Sequence, residues 1–386
     1  MDFELTEEQK MLKDTVARFV EKEITPRAAE WDEQEAFPSE VFRAMGDLGL
    51  FGISIPEAYG GSGADFLSCL LTMEEISRGD AGLATSWGAH TVLCTESVYR
   101  NGTEAQRLRY LPGLIDGSKL GALAITEPEA GSDALSLRTR AEKQGDHWVL
   151  NGTKMFITNG PVADVVIVYA KTDPAAGPKG ITTFLVEDGF PGFTRGEKLK
   201  KMGARSSPTG ELVFENCIVP EENVLGDINR GVKVLMSGLD RERIVFSVAP
   251  IGGAQAAFDL AYRYAKERVQ FGAPIVSFQA MQEILAEIAT EVQAARLMAY
   301  WAATRADRGE HVSQEASYTK LFCSQVAIRA VGKAMEVFGG YGFIREFPIQ
   351  RFYRDIKGIE FGAGTNQIQR MIILKNLLSG ADPFPL

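Results

Sequence analysis

The chain has 386 residues, 45% hydrophobic and 24% charged, with a formal net charge of −10 and a pI near 5.1. That is material for two or three domains with a sizeable core, and the acidic balance excludes a general nucleic-acid binder. A polyanionic ligand would need a local basic pocket. No apolar run approaches the length of a membrane span. The start, Met1-Asp2-Phe3-Glu4-Leu5, lacks a signal or transit pattern, so a cytoplasmic protein is expected. The cysteines (Cys69, Cys94, Cys217, Cys323) are far apart without a CxxC pair, which argues against zinc and against a disulfide framework. Of the histidines, His90, His147 and His311, none forms HExxH or sits beside a nucleophile motif. A carboxylate is therefore the better candidate for proton chemistry.

In chain order, Thr6-Glu7-Glu8-Gln9 reads as a capped helix start, with Leu12, Val16, Phe19 and Val20 on the inner face. Pro26 and Pro38 divide the next segments. Glu40 to Leu48 is a short helix, Tyr59 to Gly63 a loop, and helical patterns resume over Phe66 to Arg78 and His90 to Arg100. Residues 1–119 thus form an α-helical domain. Then the texture changes. Trp148 to Ile157 predicts a hairpin turning at Asn151-Gly152. Val165 to Ala170, Ile181 to Val186 and Leu212 to Phe214 are β-rich runs, giving a β-domain over 120–228. From Gly231 the pattern is helical again. Met281, Ile284, Leu285, Ile288, Val292, Ala295 and Ala299 keep a 3.6-residue period. Ser313 to Phe338 and Gln367 to Leu378 are further helices, so 229–386 reads as a four-helix bundle. No GxGxxG follows a strand and no P-loop is present, so any nucleotide cofactor is not held by a Rossmann turn.

Four stretches carry chemical potential. Leu239-Asp240-Arg241-Glu242-Arg243 sets four charges between apolar runs. On a helix consecutive residues point about 100° apart, so the charges cannot share one face. One reading is a solvated turn with local Asp/Arg and Glu/Arg pairs. The other turns a carboxylate into a cleft, where it must be paired or used. Ala124 to Asp133 (AITEPEAGSD) is a loop of hydroxyls and small residues, able to present N–H and O–H groups to a planar heterocycle or a phosphate, or simply an entry loop of the β-domain. Glu336-Val337-Phe338-Gly339-Gly340-Tyr341-Gly342 closes a helix with glycines, as helix ends commonly do. Gly362-Ala363-Gly364-Thr365-Asn366-Gln367 is a small-residue turn with Thr365 as a helix N-cap.

In this order on an α–β–α chain, these stretches resemble the acyl-CoA dehydrogenase family over nearly the whole length. Ser86-Trp87-Gly88-Ala89-His90, Asn159-Gly160-Pro161, Leu235 to Asp240 and Gly362 to Thr365 look most like its isovaleryl-CoA dehydrogenase branch. The resemblance implies the acyl-CoA dehydrogenase fold, FAD as cofactor, and α,β-dehydrogenation of an acyl-CoA thioester to the 2-enoyl-CoA. The acyl group would be short and branched, or bulkier and cyclic or aryl-bearing. It also implies a homotetramer and an electron-transferring flavoprotein as electron acceptor.

Position by position, the resemblance places Leu123, Ile125 and Thr126 at the flavin ring and Ser132 near the pyrophosphate and pantetheine. Phe156 and Thr158 would flank the ring system; many relatives carry Trp where this chain has Phe156. Arg268, Gln270, Phe271 and Gln279, with Glu336, Val337, Gly339 and Gly340, match positions that reach the FAD of a neighbouring subunit. Gln is usual at the Glu336 position. Thr365 and Gln367 match further FAD contacts. Asp240, Arg243 and Gly364 match substrate-side positions. Most of the family has its catalytic Glu where this chain has Ala363, while Glu242 stands where the isovaleryl branch keeps its base on a different helix. The Ala363 N–H would still polarise the thioester carbonyl. Gly358 and Ile359 replace bulkier residues of the branch, which implies a wider acyl pocket. No metal is implied. The competing classes are an acyl-CoA oxidase and a non-catalytic FAD- or acyl-CoA-binding protein of the same fold.

Overall fold

The computed structural model describes residues 4–383, so Met1 to Phe3 of the acidic start lie outside the described residues. The N-terminal part is helical: α1 (Glu7–Phe19), α2 (Ala28–Gln34), α3 (Ser39–Asp47), α4 (Phe66–Gly79), α5 (Ala81–Gly88), α6 (Glu96–Asn101) and α7 (Glu104–Ile115). The predicted start of α1 is a capping box: the Thr6 hydroxyl accepts the Gln9 N–H, and the Gln9 side chain accepts the Thr6 N–H. The helical run expected from His90 begins earlier, at Ala81. Asp80 caps it by accepting the Leu83 N–H, and it passes through a π-helical stretch, Ala89–Thr95.

The middle part holds β1 (Gly121–Ala124), β2 (Arg140–Gln144), β3 (His147–Thr158), β4 (Val165–Lys171), β5 (Ile181–Glu187), β6 (Phe193–Lys198), β7 (Thr209–Pro220) and β8 (Val224–Leu225). They form one sheet in the order β6-β7-β3-β2-β4-β5-β8, with β1 parallel to β4. The hairpin expected at Asn151-Gly152 is not there. Asn151 and Gly152 lie within one continuous strand, at a register shift between β3 and β7. Gly152 is required by proximity, since a Cβ would sit 2.5 Å from the Thr139 hydroxyl. The turn is made at Gly145-Asp146, where Gly145 takes φ +62° and Gln144 pairs with His147.

The C-terminal part holds α8 (Gly231–Glu267), a small hairpin of β9 (Val269–Gln270) and β10 (Ala273–Pro274), then α9 (Gln279–Asp307), α10 (Ser313–Phe338), α11 (Ile349–Lys357) and α12 (Asn366–Leu378). Helices α8, α9 and α10 pack on one another, α12 lies on α10, and α4 packs along α8. Helix α8 is long and apolar enough to cross a membrane by length and composition, unlike the expectation from apolar runs. Its apolar window is 72% buried inside the fold, because α8 is the core helix joining all three parts. Helix α11, which sequence periodicity did not reveal, is a strongly amphipathic segment with Phe352 and Ile356 in the core.

The four cysteines are buried and unbridged. His90 is also fully buried: its Nδ1 accepts the Gly121 N–H at 2.9 Å and its Nε2 donates to the Leu114 carbonyl at 2.8 Å. Burial lowers its pKa to about 4, so it is a neutral tie between the helical part and β1, not a proton carrier.

Candidate active site

The charged stretch falls on α8, and its side chains diverge as helix geometry requires. Arg241 reaches the N-terminal part. Its Nε and Nη2 meet the two Glu96 oxygens at 3.0 and 3.3 Å, and its guanidinium lies 3.5 Å over the Phe66 ring. Glu96, nearly fully buried, also accepts from Ser54 at 2.6 Å and Arg100 at 3.1 Å. Arg100 in turn donates to the Ser237 carbonyl of α8. Asp240 and Arg243 pair with each other at 3.0 Å, as the spacing predicts. This grip fixes the rotation of α8 and leaves Glu242 on a third face.

Glu242 makes no hydrogen bond or ion pair among the described residues. It is partly buried, and its charge acts on the buried phenol of Tyr169 on β4. Burial raises the Glu242 pKa to about 7, against the opposite pull of Arg243. A lone carboxylate held near neutrality on a packed helix is suited to take a proton.

The second element is the turn between α11 and α12, which packs on α8 and α10. Ala363 and Gly364 both adopt the left-handed conformation, φ +52° and +78°. The Gln369 amide pins the turn by donating to the Ala363 and Gly364 carbonyls at 3.1 and 2.9 Å. Thr365 caps α12 by accepting the Ile368 N–H, and Gln367 is exposed. The Ala363 N–H has no partner among the described residues. Gly358 has ordinary helical angles, φ −59° and ψ −27°, and a Cβ there would meet nothing within 4 Å. Its lack of a side chain answers no backbone demand, so what it leaves is open space.

The third element is the loop after β1. Glu127 latches it: its carboxylate accepts from the Arg138 and Thr139 N–H groups, the Thr139 hydroxyl and the Lys154 ammonium at 2.5, 2.9, 2.5 and 2.8 Å. Lys154 is fully buried and also reaches the Ile125 carbonyl, so β3 is tied to the loop. The Met155 N–H then donates to the Thr126 carbonyl at 2.9 Å. Beside this contact the β3–β7 register slips between Lys154 and Ile157. Phe156 takes φ +60° with its ring 66% exposed. An aromatic residue in the left-handed region costs about 1–3 kcal/mol. Leu123, Ile125, Thr126, Phe156 and Thr158 are thus brought together on adjoining backbone. Leu123 lies on β1, which pairs with β4, the strand that carries Tyr169, whose buried phenol feels the charge of Glu242. Ser132 is exposed in the same loop.

The remaining predicted cofactor residues gather elsewhere. A cavity of about 560 Å³ is lined by Arg268, Gln270, Glu336, Val337, Gly339 and Gly340, with Tyr264 and Tyr341. The Arg268 guanidinium lies 5.7 Å from the Tyr341 ring and has no carboxylate partner among the described residues. Phe271 is 97% exposed, and Gln279 is exposed on the first turn of α9; neither lines the cavity. Nor do Glu242, Thr126 or Ala363. The donor set fits a dinucleotide flavin in two parts. Hydroxyls and an aromatic wall at Thr126, Phe156 and Thr158 suit the ring system, and a free guanidinium beside small glycines suits phosphate.

Sequence reasoning missed the Glu127–Lys154 latch, the Arg241–Glu96 anchor, Gln369 and Lys320. One signal was available: Lys154 shares the even-numbered parity of the buried Trp148 and Leu150 in β3. The others depend on long-range packing.

With this geometry in place, the chain can be set beside known proteins. Models of the acyl-CoA dehydrogenase N-terminal, middle and C-terminal domains match residues 6–118, 122–217 and 229–378. The chain is 46% identical over 371 residues to the mitochondrial isovaleryl-CoA dehydrogenase of Solanum tuberosum, covering 96% of this chain and 90% of that protein. It is 45% identical over 375 residues to the mitochondrial 2-methylacyl-CoA dehydrogenase of the same plant, covering 97% and 91%. Among solved structures, butyryl-CoA dehydrogenase from Megasphaera elsdenii superposes with a TM-score of 0.96 at 41% identity, covering 98% of this chain and all of that one. The fold and site define a three-part α–β–α flavoenzyme of the oxidoreductase class. The chain belongs to the acyl-CoA dehydrogenase family, whose members use FAD to dehydrogenate acyl-CoA thioesters.

Proposed function

We propose that this protein dehydrogenates a branched short-chain acyl-CoA, or a bulkier cyclic or aryl-bearing one, between Cα and Cβ, with Glu242 as the base. The observation that carries this reading is the unpaired Glu242 carboxylate, held at a pKa of about 7, while position 363 offers only alanine. Glu242 takes the α-proton. The Ala363 N–H donates to the thioester carbonyl, so negative charge developing on that oxygen meets a fixed dipole as the proton leaves. FAD, when bound, supplies the acceptor for the β-hydride. Thr126, Phe156 and Thr158, with Leu123 and Ile125 behind them, would hold the ring system; Thr365 and Gln367 add contacts from α12. Ser132, Asp240, Arg243 and Gly364 serve the substrate side.

Arg268, Gln270, Phe271, Gln279 and the Glu336–Gly340 segment would serve the FAD of a neighbouring subunit in a homotetramer. That Thr126 does not line the cavity formed by Arg268, Gln270 and residues of the Glu336–Gly340 segment supports this division. An electron-transferring flavoprotein would reoxidise the enzyme. Gly358 opens the acyl pocket, because its missing side chain borders open space.

The test is a substrate panel on the purified yellow protein with an artificial dye as acceptor. Isovaleryl-, 2-methylacyl-, straight-chain and aryl-bearing thioesters are compared, and the 2-enoyl-CoA product is identified. Branched or bulky thioesters should lead in kcat/KM. Bound FAD with no turnover of any thioester would return the non-catalytic reading, and rapid oxygen consumption without dye would make the protein an oxidase.

A further inference from the structure

Lys320 lies on α10 with its side chain fully buried among the helices of the C-terminal part. Its ammonium has no carboxylate within bonding distance among the described residues. Instead it donates to the Asn366 side-chain oxygen at 2.9 Å and, more loosely, to the Glu360 carbonyl at 3.4 Å. Ser324, one turn along α10, donates to the same Asn366 oxygen at 3.0 Å. Glu360 and Asn366 are the two feet of the turn that carries Ala363. On the opposite side the Gln369 amide holds the Ala363 and Gly364 carbonyls. The turn is therefore clamped from α10 and from α12, while the Ala363 N–H, like the Gly364 and Thr365 N–H groups beside it, has no partner among the described residues.

A buried ammonium held only by neutral acceptors is a poor way to stabilise a bundle; a methionine of similar length would pack there without the desolvation cost. The neighbouring Arg243 makes the location worse. Burial, together with Arg243 and against the pull of Glu360, lowers the lysine pKa to about 8. A costly group at the feet of a strained turn is accounted for if the turn's placement matters to the chemistry.

We propose that Lys320 is a positioning residue for the dehydrogenation: through Asn366 and Glu360 it holds the Ala363 turn so that the Ala363 N–H meets the thioester carbonyl. This rests on the reading of Ala363 as the carbonyl's donor. Lys320 itself touches neither substrate nor cofactor. Arg243, whose charge it feels, stays paired to Asp240.

The test is a binding comparison on the FAD-loaded protein by calorimetry. The 2-enoyl-CoA thioester is set against the matching CoA thioether, which lacks only the carbonyl oxygen. Wild type should prefer the thioester. Lys320→Met should keep FAD and fold, bind the thioether as wild type does, and lose about tenfold of affinity for the thioester, the effect of one polarised hydrogen bond. Asn366→Ser, which removes the shared acceptor, should show the same selective loss and covers the case in which Lys320→Met folds poorly. A full thioester preference retained in both variants overturns the role of Lys320. No thioester preference in wild type overturns the Ala363 reading and the proposal with it, so the two failures are told apart.

Discussion

If Glu242 is held for chemistry, its removal should make the protein more stable as it makes it inactive. The carboxyl is raised from its usual 4.5 to about 7 by burial. A pKa raised in the fold stabilises the folded state below the unfolded value, and that contribution is lost as the pH rises through the folded one. For Glu242 the loss therefore falls between about pH 4.5 and 7. Above that window the ionised group costs the fold on the order of 3 kcal/mol, at about 1.4 kcal/mol per pKa unit; partial exposure makes this an upper bound. Glu242→Gln removes the charge at constant volume, and the carboxyl it replaces has no hydrogen bond to lose among the described residues. At the usual unfolding entropy per residue, 3 kcal/mol in a chain of this size is a rise of about 4 °C in Tm at pH 8. At pH 4.5 the rise should shrink toward zero. The assay is thermal unfolding of wild type and variant, both FAD-loaded, at the two pH values. An equal Tm difference at both, or a destabilised variant at pH 8, refutes the reasoning, because Glu242 would then be a satisfied group of the core.

Three further outcomes follow from the same geometry. Gly358→Leu is compatible with the local backbone, and its Cβ meets no atom within 4 Å, so Tm should move by less than about 1 °C while kcat/KM falls more for aryl-bearing than for short branched thioesters; equal falls would make Gly358 a purely structural residue. Placing Ala363→Glu in a Glu242→Gly background should restore part of the dehydrogenation rate by moving the base across the cleft, and a double variant no faster than Glu242→Gly alone would count against a shared site. The exposed apolar side chains of α12, Met371, Leu374 and Leu378, should be covered in a tetramer, which light scattering will size; an active, FAD-loaded monomer would contradict the division of the cofactor contacts between subunits.

Much of the architecture was legible because it rests on local rules. Ser313 to Phe338 was bounded correctly from its pattern, and Thr6 with Gln9 announced the first helix by cap chemistry alone. The failures have a common cause in contacts between distant segments. Asn151-Gly152 has turn chemistry, yet the strand runs straight through it. Thr139 needs a glycine opposite, and β7 continues the pairing beyond the register shift. Helix α11 carries four charged residues in nine and hides its core face from periodicity counted over a longer window. In the site, divergence of the 240–243 charges was deducible from 100° steps, but not which residue faced which way. Arg241 turns into the N-terminal part because Glu96 and Phe66, some 145 or more positions upstream, await it. The strain at Phe156 was likewise invisible, because a bulge belongs to a pair of strands and not to one.

The central claim, that Glu242 abstracts the α-proton, is tested most directly by mixing FAD-loaded Glu242→Gln with an excess of its best acyl-CoA substrate under anaerobic conditions and following the loss of oxidised-flavin absorbance in a single turnover. The account predicts acyl-CoA binding within a fewfold of wild type and flavin reduction slower by several decades, on the scale of 10²–10⁴ that a general base contributes. Flavin reduction at a near-normal rate would contradict it and move the proton chemistry to Asp240.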